Sequence, residues 1–114
     1  MGINMVFVYF IRCGQRRGAI KIGHASNVER RLLELQVGNP EKLHVLATIP
    51  IESKKQAHNI ERWMHYRFKR LHIRGEWFRG SLKLKTVFTN LELAKNGVDY
   101  DDVCANKGKG YHMD

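Results

Sequence analysis

Glu61 is the only acid between Lys54 and Leu71, a stretch whose apolar residues Ala57, Ile60, Met64, Phe68 and Leu71 recur at helical spacing. On a wheel of about 100° per residue it falls about 40° from Ala57, on the apolar stripe itself. A buried carboxylate is costly unless a cation accompanies it, either a side chain or a metal ion. Arg31 borders the stripe formed by Val28, Leu32 and Leu35, Lys21 stands between Ile20 and Ile22, and Tyr9 lies inside the run Met5 to Ile11. Singly, Tyr9 reads as a core aromatic, Lys21 as an edge charge, and Arg31 with Glu61 as a salt bridge. Together the four have the composition of a site for phosphodiester hydrolysis.

The elements that must position them follow from hydrophobic patterning. Residues 5–11 form an unbroken β-branched and aromatic run, expected as a central strand. Gly14 and Gly18 bracket a polar loop before the short run 19–22, which predicts a β-hairpin. If residues 12 and 18 pair, Tyr9 stands opposite Lys21; a four-residue loop would instead set Lys21 against Phe10. Ser26 to Glu29 reads as a capping box opening a helix over 27–37, stopped by Gly38-Asn39-Pro40. Leu43 to Ile49 predicts a third strand ended by Pro50. Ser53 and Gln56 form a second capping box, and the helix after it extends to about Leu71, with Arg74-Gly75 as its end. A further amphipathic stretch, Leu82 to Lys95, would bury Leu84, Val87, Phe88, Leu91 and Ala94, with Gly97 as its cap.

The expected architecture is an α/β (α+β) domain: a small, mainly antiparallel three-stranded sheet flanked by helices. One domain is expected over 1–97, with a core over 5–80, an added helix over 82–95 and a loose tail over 98–114. With 43% hydrophobic and 27% charged residues, the 114-residue chain is not of the disordered class. No run approaches the roughly 20 apolar residues that cross a bilayer. Residues 1–12 carry neither a basic leader nor a small-residue cleavage site, so the expected location is cytoplasmic. Cys13 and Cys104 match no metal spacing and are expected to be reduced.

Charge points to the partner. The net charge is +9, and residues 53–85 hold ten basic and two acidic groups. So concentrated a basic surface attracts phosphate polyanions through steering and counterion release. Nucleic acid is the expected partner and no membrane is; a solvated helix face is the plainer alternative. The expected contact residues are His24, Arg30, Lys54, Lys55, Arg62, Arg67, Lys69, Arg70 and Arg74.

Order and spacing then resemble the GIY-YIG nuclease superfamily over about residues 5–80. Phe7-Val8-Tyr9 stands where its first motif is expected, and Lys21-Ile22-Gly23 where its second is. Arg31 lies eight residues past Gly23, and Glu61 matches the metal-binding Glu. The similarity is greatest to a divergent, often phage-encoded branch with K-I-G, a His after the Glu (here His65) and G-E-W-F (here Gly75 to Phe78). Lys21 replaces the second tyrosine, Leu35 stands where many members have a His, and no counterpart of the late Asn is found.

The resemblance implies a metal-dependent endonuclease acting on DNA in a bacterial cell, phage-encoded or host-encoded. Glu61 would hold Mg²⁺ or Mn²⁺, Arg31 the scissile phosphate, and Tyr9 or Lys21 would take the proton of the attacking water. An ammonium near Tyr9 would favour its phenolate. His65 would support a ligand or touch phosphate. A homodimer or a separate partner could add specificity. The rival from a different class is a basic DNA-binding module that keeps the fold without the chemistry. His58, Glu61 and His65 invite a zinc reading, but H-x-x-E-x-x-x-H is neither H-E-x-x-H nor its inverse, and no further ligand is evident. Trp63 and Trp77 could stack bases, although core packing is the simpler use of Glu76-Trp77-Phe78.

Overall fold

A computed structural model describes residues 5–89. Five antiparallel strands form one sheet: β1 (Val6–Cys13), β2 (Ile20–Ala25), β3 (Leu43–Ile51), β4 (His72–Arg74) and β5 (Trp77–Phe78), in the spatial order β3-β1-β2-β5-β4. Helices α1 (Val28–Val37), α2 (Lys54–Arg67) and α3 (Leu84–Thr89) flank it. The class is the expected one, but the sheet has five strands rather than three. The extra two form a hairpin where the sequence indicates only a helix end. They span three and two residues, His72 to Arg74 are all exposed, and such strands carry no alternation to read. Their turn rests on Gly75, whose φ of +55° suits a residue without a Cβ.

β1 is covered on both faces, as its unbroken apolar run requires. Val6, Val8 and Phe10 join Ile20, Ile22, Phe78 and the apolar stripe of α2 in the larger core. Tyr9 and Ile11 face the other way, with Ala25 and Leu43, under Val28, Leu32 and Leu35 of α1. Leu35 therefore packs α1 onto the sheet. Ala57, Ile60, Met64 and Phe68 are buried as the wheel predicts, and Trp63 and Tyr66 join them.

The hairpin register differs from both expectations. Tyr9 pairs with Gly23, Phe10 with Ile22 and Ile11 with Lys21, because residues 13–19 form a longer connection than predicted. The shift relative to the Tyr9–Lys21 pairing is two residues at Lys21, which preserves the face. Tyr9 and Lys21 thus share a side of the sheet as neighbours on the diagonal.

Boundaries shift for local reasons. Asn27, not Ser26, caps α1, its side chain accepting from the Arg30 amide at 3.0 Å. Ser53 caps α2 through the Gln56 amide at 3.1 Å, whereas the buried Gln56 Oε1 has no partner among the described residues, so half of that capping box forms. β3 continues through Pro50 because it is an edge strand, where a missing N–H is tolerated. α2 stops at Arg67, and a 3₁₀ turn, Lys69–Leu71, completes the predicted length. Val87 is buried in α3, but Phe88 is 44% exposed, with its ring edge-on to Phe10 at 5.8 Å. Leu91, Ala94, Gly97, Cys104 and the 98–114 tail lie outside the described residues. No described helix is long and apolar enough to cross a membrane.

Helix α2 is held by its buried stripe more than by its cap. Met64→Ala should cost about 2–5 kcal/mol and Ser53→Ala about 1 kcal/mol. Urea denaturation followed by circular dichroism measures both, and equal losses would contradict this ordering.

Candidate active site

Tyr9 is fully buried on β1, and the residue opposite it is Gly23. A Cβ at Gly23 would lie 2.6 Å from the phenol oxygen and 2.7 Å from Cζ. No side chain fits there, so glycine is what allows the ring to lie across β2. Arg31 Nη1 donates to the phenol oxygen at 3.3 Å. The same guanidinium reaches Glu34 through Nε at 3.4 Å, and Arg30 Nε meets the other Glu34 oxygen at 3.5 Å. Sequence reading passed over Glu34, which the i,i+3 and i,i+4 spacing marks as a partner for both arginines. These exposed pairs orient the side chains and add little stability.

Lys21 does not serve the phenol directly. Its Nζ lies 3.1 Å from Glu76 Oε1 and 5.4 Å from the centroid of Trp77. Glu76, absent from the sequence-derived site, is pinned by the backbone bond from Ile22 N to Glu76 O at 3.0 Å. Its carboxylate lies 3.0 Å from where a Gly23 Cβ would be. Only the hairpin missed in the sequence brings it there.

Glu61 is satisfied from the opposite face. His24 follows Gly23 on β2, so its side chain points to the α2 side, where Nδ1 pairs with Glu61 Oε2. The acid on the apolar stripe thus has a side-chain partner, with only 15% of its side chain exposed. That partner is His24 and not Arg31. The outer edge of β2 carries β5 only at Ile20 and Lys21, and beyond Ile22 no described strand pairs with it. Tyr9 with Arg31 and Glu61 with His24 flank that unpaired end from the two faces.

The electrostatics refine the roles. Burial raises the Tyr9 pKa above its ordinary value; the hydrogen bond and charge of Arg31 oppose this, and the charges of Glu76 and Glu61 reinforce it. The phenol is therefore protonated at neutral pH, and the expected phenolate is not formed in the free protein. The hydrogen bond to Tyr9 is also the main cause of a raised Arg31 pKa. His65 lies one turn from Glu61, packed on Phe78 and His72 at ring distances of 5.3 and 5.1 Å. Burial and the His72 charge lower its pKa, against the opposing pull of Glu61 and Glu76, so His65 is neutral at neutral pH. His58 is exposed, and among the described residues no three of His, Cys, Asp and Glu converge as a metal cage. The basic residues expected to touch nucleic acid are exposed at Arg30, Lys54, Lys55, Arg62, Lys69, Arg70 and Arg74. Arg67 is half-buried, 5.4 Å from the Phe68 ring.

Two outcomes follow. Gly23→Ala should cost about 1–3 kcal/mol by overpacking, and most of that loss should vanish in a Tyr9→Ala background, a coupling measured by a double-mutant denaturation cycle. Tyr9 favours the folded state below about pH 10, the phenol's ordinary value, and that contribution is lost as pH rises through its higher folded value. Difference absorbance between wild type and Tyr9→Phe should therefore show no Tyr9 ionisation below pH 10.

No curated protein and no solved structure matches the chain. The model of the T5orf172 domain matches residues 6–94, which include every described strand, Tyr9, Lys21, Arg31, Glu61, His65 and Glu76. With most of its 114 residues so matched, the chain belongs to the T5orf172 domain family, a phage-associated group related to endonucleases.

Proposed function

We propose that this domain is a metal-dependent endonuclease that hydrolyses DNA phosphodiester bonds with a GIY-YIG-type site. The observation that carries the reading is the Tyr9–Arg31 pair seated over Gly23, with Glu61 across the same unpaired end of β2. The T5orf172 membership and the basic surface of α2 and β4 support it.

Arg31 keeps N–H donors beyond those directed at Tyr9 and Glu34, and its planar fork suits the scissile phosphate. Lys21, ion-paired with Glu76, contributes positive charge beside the phosphate rather than a free amine to accept a proton. Tyr9, buried and protonated in the free protein, would take the proton of the attacking water only once bound substrate and metal have opened its oxygen and displaced its own proton. The guanidinium already bonded to that oxygen stabilises negative charge as it develops there. His65, neutral and one turn from Glu61, supports the carboxylate or contacts the leaving strand.

The donor set can be tested against the metal. One carboxylate with one histidine neighbour, and no third donor among the described residues, fits a hard cation that keeps several waters, Mg²⁺ or Mn²⁺, and not a tetrahedral zinc site. Glu61 would hold it through the oxygen that His24 leaves free. Bound there, such an ion stabilises charge on the phosphate and the leaving oxygen.

The test is nicking of supercoiled plasmid in Mg²⁺, Mn²⁺ or EDTA. Wild type should nick in either metal and not in EDTA, Glu61→Ala should be inactive, and Arg31→Lys should lose about 10²–10³-fold in rate. Equal nicking by wild type and Glu61→Ala would refute the mechanism. Salt-sensitive gel shifts without cleavage would favour the binding module instead.

A further inference from the structure

We propose that the cleft between Trp77 and Arg74 is a binding subsite for one unpaired nucleotide of the substrate strand. The substrate class rests on the endonuclease reading, and the cleft lies on the same side of the sheet as Tyr9. It has a volume of about 410 Å³ and is lined by Cys13, Ala19, Asn39, Ile73, Arg74 and Trp77. Small-ligand sites run from roughly 300 to 1,000 Å³.

The lining specifies the chemistry. Trp77 is half-buried, and it packs with the Tyr9 and Ile11 cluster on the α1 side of the sheet. Arg74 is its cross-strand partner in the β4–β5 hairpin, which places the guanidinium's residue beside the indole. Ile73 is 53% exposed and adds apolar surface. The Asn39 Oδ1 already accepts from the Cys13 thiol at 3.7 Å and the Glu41 amide at 3.0 Å. What Asn39 can offer a ligand is therefore its two N–H donors. Arg74 is likewise donor-only, and no acid lines the cleft among the described residues. A donor-only rim beside an aromatic and aliphatic wall suits a planar, acceptor-rich group that carries negative charge, as a base with its phosphate does.

Position and accessibility select an unpaired nucleotide. Lys21 stands 5.4 Å from the Trp77 centroid and on the same face as Tyr9, so the cleft opens on the Tyr9 side of the sheet. A base inside a duplex is stacked on its neighbours and cannot lie on the indole. Trp63 offers no such platform, because it is 7% exposed and edge-on to Phe68 at 6.0 Å.

The test is metal-free binding, in EDTA, of a labelled duplex carrying one unpaired thymidine. The control is the same duplex with an abasic residue at that position. Fluorescence anisotropy should give wild type about tenfold tighter binding with the base present, accompanied by quenching of tryptophan emission. That ratio should fall to near one in Trp77→Leu and persist largely in Trp77→Phe. Equal affinity of wild type for the two duplexes, or an unchanged ratio in Trp77→Leu, would overturn the proposal. If Trp77→Leu does not fold, Arg74→Gln, at an exposed position on the cleft rim, takes its place, and an unchanged ratio there would equally overturn the proposal. Failure here with metal-dependent nicking intact removes the subsite only, whereas loss of nicking with the tenfold ratio intact removes the nuclease reading and leaves the subsite.

Discussion

The register of β1 against β2 is the constraint on which the site depends. Pairing Tyr9 with Gly23 sets a large ring across the one β2 residue that has no side chain to obstruct it. A slip of one residue would put Tyr9 and Lys21 on opposite faces of the sheet. A slip of two would keep the face but place the phenol over Lys21 or Ala25, where a Cβ occupies the space. Backbone pairing along six residues of β2 thus defines the position of the phenol, and Arg31 has only to reach it from α1.

Adjacent residues of one strand then divide the candidate site between two faces. Gly23 receives Tyr9 on the α1 side, and His24 meets Glu61 on the α2 side. The short β5 leaves the end of β2 open, so groups on the two faces approach one another around an edge instead of through the sheet. This is why the Tyr9 phenol feels the charges of Glu61 and Glu76 although neither is its hydrogen-bond partner.

Each half-buried charge of the site has an internal partner: Lys21 with Glu76, Glu61 with His24, and Arg31 with Tyr9 and Glu34. Uncompensated charges at such positions would cost several kcal/mol apiece, so this pairing lets a small core carry them. Under the proposed function, the same pairs would have to rearrange or share on binding a polyanion. A phosphate would compete with Glu34 and Tyr9 for Arg31, and with Glu76 for Lys21. The excess of basic residues on α2, the 3₁₀ turn and β4 supplies the attraction that opposes this competition.

Much of this was legible in the chain. The continuous apolar run of β1, the stripe of α2 and the misplaced acid Glu61 are properties of residue type and period, and they identified the central strand, the buried helix face and the carboxylate that needs a partner. Leu35 was legible with Val28 and Leu32 as the apolar stripe that seats α1. What the residues alone determined is which groups must be buried and therefore need partners, because burial follows from hydrophobic periodicity. Which partner each group takes was decided by tertiary structure alone. Glu76 reaches Lys21 through a hairpin too short to have a period, His24 rather than Arg31 reaches Glu61, and Gly23 faces Tyr9 only because the connecting loop is longer than its glycines imply. Ion pairs and ring contacts depend on distances between elements remote in sequence, and those distances are set by strand register and helix packing, which local patterns do not encode.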